Sequence, residues 1–195
     1  LRHLLIVWSC FLSNFAIETT ELNKNYGKRL AVNKLNLKVK IGEVHGFLGP
    51  NGAGKSTTIK MLVGLLRPTS GSIMIMNEDA TGDKPKIRQK IGYLSELPNY
   101  PRHLTGIELL DVYGRMYGMS NEARKKRIPE LIKSVGLEGR GKDRISGYSK
   151  GMQQRIGMAQ AMINDPEILI LDEPSMGLDP VGVVEMRNLI KDIAK

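Results

Sequence analysis

The sequence predicts an α/β protein with a mostly parallel sheet core, an N-terminal antiparallel β part and a helical subdomain. Three observations carry that expectation. A strand, a glycine-rich loop and a helix follow one another over residues 43–66. Glu167-Ile168-Leu169-Ile170-Leu171, bounded by Pro166 and Asp172, reads as a parallel strand buried on both faces. Between these two segments the hydrophobic period lengthens from that of a strand to that of a helix.

The elements follow in order. Ile17–Asn25 and Leu35–Ile41 read as strands flanking a turn at Tyr26-Gly27-Lys28. Polar Lys34, Asn36, Lys38 and Lys40 alternate there with apolar Leu35, Leu37, Val39 and Ile41, the period of a half-buried strand. Glu43–Leu48 enters the glycine-rich loop and a helix over Thr57–Leu66 leaves it, stopped by Arg67-Pro68. Ser72–Met76 and Ile91–Leu94 read as further strands. From Thr105, an N-cap, the residues Ile107, Leu110, Tyr113, Met116 and Tyr117 take helical spacing. A second helix over Asn121–Val135 ends at Gly136, and Pro129 inside it is expected to kink or restart it. A third runs from Lys150 to Ile163 with Ser149 as its cap.

Composition narrows the class. A chain of 195 residues permits one domain with a sizeable core. The net charge of +9 is unusual, but its clusters at Lys24–Lys40, Lys84–Lys90 and Arg124–Arg127 are spread along the chain. They read as solvated faces rather than as a nucleic-acid arm or a membrane-binding patch. A single cysteine, Cys10, excludes an intrachain disulfide and fits a reducing compartment. His3, His45 and His103 lie too far apart in sequence to suggest a metal cluster. The apolar run Leu4–Leu12 is too short to span a bilayer and lacks a signal-peptidase site. With Leu1 rather than Met at the start, residues 1–16 read as a non-native extension, with a membrane-associating segment as the alternative.

Two motifs carry chemistry. Gly49-Pro50-Asn51-Gly52-Ala53-Gly54-Lys55-Ser56 completes the pattern G-x-x-x-x-G-K-[ST]. Glycines let the backbone turn successive N–H groups toward phosphate oxygens. Lys55 reaches the β- and γ-phosphates, Ser56 ligates Mg²⁺, and the following helix adds the positive end of its dipole. The fold class is therefore a P-loop NTPase. The second motif is the buried strand that ends in Asp172-Glu173. It places a carboxylate at the C-terminal edge of the sheet, where ligands of α/β proteins bind. Asp172 suits Mg²⁺, and Glu173 suits polarising the attacking water.

Further segments fix a resemblance. Tyr148-Ser149-Lys150-Gly151-Met152-Gln153-Gln154-Arg155 looks like the signature L-S-G-G-Q-x-Q-R, and Ser149 precedes Asp172 by 23 positions. Ser175-Met176-Gly177-Leu178-Asp179-Pro180 looks like a D-loop, and Ile91-Gly92-Tyr93-Leu94-Ser95-Glu96 like a Q-loop. From Ile17 to Lys195 the chain thus resembles the nucleotide-binding domains of ATP-binding cassette (ABC) transporters, in the exporter branch whose membrane subunit is a separate polypeptide. The resemblance implies ATP and Mg²⁺ as cofactors. It implies ATP contacts at Tyr26, Gly49, Pro50, Asn51, Gly52, Ala53, Gly54, Lys55, Ser56 and Thr57. Ser149, Lys150 and Gly151 are implied to contact the nucleotide held by a second copy, and Asp179 is implied to bind nucleotide as well. Metal ligation falls to Ser56, Glu96 and Asp172, and catalysis to Glu173 and Glu96. A helical subdomain is expected at about residues 97–150.

The sequence also departs from that family. Lys150 replaces the signature's first glycine, Met152 its glutamine, and Glu96 the Q-loop glutamine. The family's switch histidine follows a strand beyond Lys195, so truncation, slow hydrolysis and an uncovered edge on the 167–171 strand are expected. The implied function is ATP hydrolysis that drives transport through a separate permease, at the cytoplasmic face of the cell membrane. The active form would be a homodimer, with no nucleic-acid partner. The alternatives are a non-transport ATPase of the same family acting on ribosomes or DNA, and a non-hydrolysing ATP-binding module.

Overall fold

The computed structural model describes residues 3–7 and 15–194, with side chains from residue 15. Cys10 and the Trp8–Leu12 half of the apolar run lie outside the described residues. The chain divides into two compact units. One comprises Leu1–Tyr93 with Glu167–Asp172, the other Leu94–Pro166 with Glu173–Lys195.

The first unit holds two sheets. In one, β2 (Phe15–Tyr26) and β3 (Arg29–Lys40) form a hairpin whose turn contains Gly27 at φ +57°. A left-handed residue is what so tight a connection requires. β5 (Ser70–Ile75) adds antiparallel to β2, and the short β6 (Glu78–Asp79) to β5, giving the order β3-β2-β5-β6. This is the expected antiparallel part. Ile17, Val39, Ile73 and Ile75 are fully buried by it, each contributing about 1.5–3 kcal/mol relative to exposure.

The other sheet has the order β4-β1-β8-β7, from β1 (His3–Val7), β4 (Val44–Gly46), β7 (Ile91–Leu94) and β8 (Ile168–Asp172). β1 pairs antiparallel with both β4 and β8, so β4 and β8 run in the same direction without touching. Every residue of β8 is buried, which is why its sequence is continuous rather than alternating. The edge expected to lie uncovered beside β8 is occupied by β1, a correction to the sequence reading. The segment responsible is the apolar run at the N-terminus, whose Leu4, Leu5, Ile6 and Val7 suit a central strand as well as they suit a leader peptide.

α1 (Lys55–Leu62) buries Ile59, Met61 and Leu62 in a core shared with Ile17, Val39, Ile168 and Ile170. It ends four residues before the expected Leu66. Gly64, at φ +73°, allows Leu65 N–H to bond the Lys60 carbonyl and Gly64 N–H the Met61 carbonyl, a glycine-terminated helix end. A single-turn helix, α2 (Pro85–Arg88), precedes β7.

The second unit is helical. α3 (Gly106–Met116) begins with a capping box in which Thr105 Oγ1 accepts from Glu108 N–H and Glu108 accepts from Thr105 N–H. α4 (Asn121–Ser134) continues through Pro129, without the restart that the sequence allows. Proline removes the bond to the carbonyl of residue 125, and both Lys125 and Pro129 are exposed, so the freed carbonyl is accessible to solvent. Gly118 and Gly136 end α3 and α4 with the same pair of bonds that ends α1. α5 (Lys150–Ala161) and α6 (Pro180–Ile193) complete the unit.

Candidate nucleotide-binding site

In the first unit, β4 delivers the chain to the glycine-rich loop. Gly52 and Gly54 take φ +82° and +85°, backbone that side-chain-bearing residues rarely adopt. Gly54 has a second reason to be glycine. A Cβ there would lie 2.4 Å from the Ala31 carbonyl oxygen and 3.0 Å from Val32 Cγ2, so the loop is braced directly on β3. Gly49 faces Ala53 across the curl, where a Cβ would come 3.4 Å from that of Ala53, and Ala53 N–H closes the turn onto the Pro50 carbonyl.

Lys55 folds back into this curl. Its ammonium donates to the Gly49 carbonyl at 2.9 Å and the Pro50 carbonyl at 2.8 Å, and the residue is only 8% exposed. Two carbonyl acceptors satisfy the buried ammonium within the loop. α1 starts at this same residue. Its Ncap is Gly54, which supplies no side-chain bond, and its first turn holds no acid. The ladder opens with Thr58 N–H on the Gly54 carbonyl, so the N–H groups of Lys55, Ser56 and Thr57 precede it. α3, α4, α5 and α6 each carry a side-chain cap, from Thr105, Ser120, Ser149 and Asp179. Among the described helices of eight residues or more, α1 alone is left for something else to cap.

Asp172 ends β8 in the same unit and is buried. α1 packs beside both β3 and β8, which brings the first turn with Ser56 and the acid-bearing strand into one layer. Tyr26 closes β2 with its ring about half exposed, and the Lys24 ammonium lies 5.4 Å from the ring centroid. At the entrance to β4, Glu43 accepts from Lys40 N–H and pairs with His45 at 3.2 Å. The backbone bond first and His45 second hold the Glu43 carboxyl below its usual range.

The second unit carries the remaining sequence candidates. Ser149 Oγ accepts from Met152 N–H and caps α5, as its sequence context predicts. The start of α5 lies against the 175–179 loop. A Cβ on Gly177 would meet Lys150 Cε at 3.5 Å, and one on Gly151 would meet Leu178 Cδ2 at 3.8 Å. Asp179 Oδ1 accepts from Gly182 N–H at 2.8 Å and caps α6. Glu173, at φ +52°, follows Asp172 directly and is half-buried, with its carbonyl taken by Met176 N–H. Glu96 is half-buried just after β7.

The structure therefore gathers Gly49–Thr57 and Asp172, with Tyr26, in the first unit. It gathers Ser149, Lys150, Gly151 and Asp179, with Glu96 and Glu173, in the second. Sequence reasoning missed the Ala31–Val32 brace under Gly54, because a contact across 23 positions leaves no periodic trace. It also missed the uncapped start of α1, which was legible: no Ser, Thr, Asp or Asn stands at position 54.

The profile of the family described as ABC transporter matches residues 32–176. The chain is 46% identical over 179 residues to the bacitracin transport ATP-binding protein BcrA of Bacillus licheniformis, covering 92% of this chain and 58% of that protein. It is 39% identical over 174 residues to the Nod factor export ATP-binding protein I of Cupriavidus metallidurans, covering 89% and 56%. The chain thus spans somewhat more than half the length of these relatives. The solved structure of cbiO1 from Clostridium perfringens, part of the ABC transporter complex cbiONQ, superposes with a TM-score of 0.85 at 30% identity, covering 93% of this chain and 74% of that one. A dimeric ATP-binding cassette in a post-hydrolysis state, bound to ADP and phosphate, gives 0.76 at 28% identity, covering 92% and 83%. The phosphate loop, the acid-ended strand and these matches together make the chain a member of the ABC transporter family, in its ATP-binding part.

Proposed function

We propose that the chain binds ATP with Mg²⁺ and hydrolyses it as the ATP-binding subunit of a transporter whose membrane path is a separate polypeptide. One observation carries the nucleotide half of this reading: the uncapped first turn of α1, with the Lys55 ammonium buried in the loop beside it. Three N–H groups ahead of the helical ladder, a helix dipole and a cation converge where a triphosphate's negative charge would lie. The residues fit the group. A side chain on Gly49 would crowd Ala53 and Lys55, and the Lys55 ammonium sits against the Gly49 and Pro50 carbonyls of the same loop. Ser56 and Asp172 would hold Mg²⁺, with Glu96 as a further ligand. The metal would draw charge off the phosphate oxygens.

The chain's own groups supply the rest. Tyr26 offers a half-exposed ring for adenine to stack on. Glu173 would accept a proton from the attacking water. The first turn of α5, capped by Ser149 and bearing Lys150 and Gly151, would face the γ-phosphate held by a second copy, with Asp179 in the same layer. Two such chains would enclose two nucleotides, and the dimeric relative supports that arrangement.

Transport is carried over from the relatives' names, which speak of bacitracin transport and Nod factor export. Among the described residues no helix is long and apolar enough to cross a membrane. We therefore assign the membrane path to a partner and place the chain at the cytoplasmic face of the membrane, with ATP as its fuel. Calorimetry of ATP–Mg²⁺ binding tests the core of this reading. Lys55→Ala should weaken binding about tenfold or more, since a charge-assisted phosphate contact contributes roughly 1.5–3 kcal/mol. Equal affinity in parent and variant refutes the phosphate-loop assignment.

A further inference from the structure

We propose that Asn51 is a modification site: it deamidates spontaneously in the chain without nucleotide, the product spoils the loop for phosphate, and bound nucleotide protects it. The protection rests on the nucleotide reading above, whereas the reactivity stands on the loop alone. Asn51-Gly52 is the one Asn-Gly step among the chain's 11 asparagines. Such a step is reactive because glycine has no side chain to shield its amide nitrogen from the neighbouring side-chain carbonyl. The fold leaves that nitrogen open. Pro50-Asn51-Gly52-Ala53 is a turn closed by Ala53 N–H on the Pro50 carbonyl at 3.2 Å, with Gly52 at φ +82° in third place. The peptide joining Asn51 to Gly52 is the central one of that turn, and the closing bond does not hold it. Among the described residues, Gly52 N–H donates to no group. Nothing lies within 4 Å of where a Cβ on Gly52 would stand, and Asn51 and Gly52 are both exposed. Asn99 is exposed too, but the nitrogen that would attack it belongs to Tyr100, which is buried.

The chemistry needs only solvent water. The Gly52 nitrogen attacks Asn51 Cγ and forms a C–N bond. The side-chain amide nitrogen leaves as ammonia, taking the proton that the Gly52 nitrogen gives up, and a succinimide ring closes. Water then adds to one of the two ring carbonyls and splits its bond to nitrogen, returning a proton to that nitrogen. Opening at Cγ leaves aspartate at position 51. Opening at the backbone carbonyl leaves isoaspartate, in which the chain runs through Cγ and gains a backbone carbon. Nothing is oxidised or reduced. Either product sets a new carboxylate in the turn that leads to Lys55 and the first amides of α1, where phosphate oxygens would lie. Like charges at such short range repel. Isoaspartate also displaces the N–H groups on which an anion-binding curl depends. A bound triphosphate would accept from the loop's N–H groups and hold the central peptide still, so the occupied chain is spared. The site then records the time the chain spends without nucleotide.

Mass spectrometry of the digested chain follows Asn51 during incubation at mildly alkaline pH, without nucleotide and with ATP–Mg²⁺. The folded chain without nucleotide should convert Asn51 ahead of every other asparagine, Asn99 included. The proposal is overturned if Asn51 stays intact over the time in which the same chain, unfolded in guanidinium chloride, loses it. ATP–Mg²⁺ kept at about a hundredfold excess over Kd should slow the conversion about tenfold or more, because only about one chain in a hundred is then without nucleotide. An equal rate, with binding confirmed by calorimetry, overturns the protection. Asn51→Asp stands in for one product. Its ATP affinity should fall about tenfold or more, the scale of repulsion between like charges a few ångströms apart, and the parent's affinity in this variant overturns the loss of phosphate binding. If the variant does not fold, converted parent chain, separated by its added charge on ion exchange, takes its place in the calorimeter. A parent chain that binds no ATP refutes the nucleotide reading instead, and the conversion of Asn51 without nucleotide is judged all the same.

Discussion

Gly54→Ala tests how the phosphate loop is held. The alanine would keep φ near +85°, a left-handed conformation costing about 1–2 kcal/mol for an L-residue. Its Cβ would also lie 2.4 Å from the Ala31 carbonyl oxygen and 3.0 Å from Val32 Cγ2. Contacts under 3.0 Å do not persist, and the obstacle here is backbone, so β3 or the loop must shift. Such overpacking adds about 1–3 kcal/mol. The total, about 2–5 kcal/mol, is a large share of the 5–15 kcal/mol typical of a folded domain. Gly42→Ala separates the two contributions. Gly42 has φ +75° with nothing within 4 Å of a Cβ, so it reports left-handed strain alone. A small entropic gain from losing glycine offsets both variants alike. Urea denaturation of the two, read at a common slope, should show Gly54→Ala less stable than Gly42→Ala by about 1–3 kcal/mol. ATP affinity should fall only for Gly54→Ala. Equal losses in the two variants would refute the brace between loop and β3.

Glu173→Gln in a protein carrying its natural continuation should retain ATP binding, lose turnover and accumulate a nucleotide-bound dimer on size-exclusion chromatography; turnover at the parent rate would place the base elsewhere. Thr105→Ala removes the Oγ1 acceptor of Glu108 N–H, the side-chain half of the α3 capping box, and should cost about 1 kcal/mol in denaturation while leaving ATP affinity unchanged. The Asp111 carboxyl is held below its ordinary value first by the Arg124 guanidinium and, against the opposing effect of burial, by Arg115. Its pairing therefore stabilises the fold fully above the unfolded aspartate value and is lost as pH falls through the lower folded value. Acid-unfolding curves of Asp111→Asn should lack that component below about pH 4, and identical curves would refute it.

Much of the architecture was legible because it is local. Thr105 and Ser149 are caps by their own chemistry, Gly136 stops α4 where a left-handed residue is needed, and Ile91–Leu94 forms a strand as expected. The phosphate loop is legible for the same reason, its spacing being its mechanism. The illegible parts depend on distant partners. α1 stops at Leu62 because the residues around Gly64 close a helix end that the apolar Leu65 and Leu66 conceal. Pro129 does not end α4 because its turn faces solvent, which depends on where α4 packs. β1 was unreadable as a strand, since nothing in Leu4–Val7 names β4 and β8 as its neighbours.

The bare start of α1 has a dynamic consequence. A helix whose first turn has no cap of its own frays there, whatever the stability of the fold around it. The amides of Lys55, Ser56 and Thr57 should therefore exchange with solvent quickly in the empty protein and slow down when phosphate oxygens bind them. That slowing would be local, and would come before any change in the strands beneath. The same ligand should also raise the melting temperature with concentration, by about 2.7 kcal/mol of added stability at a hundredfold excess over Kd. Exchange at three amides thus becomes an occupancy gauge built into the backbone, readable without a label and without turnover.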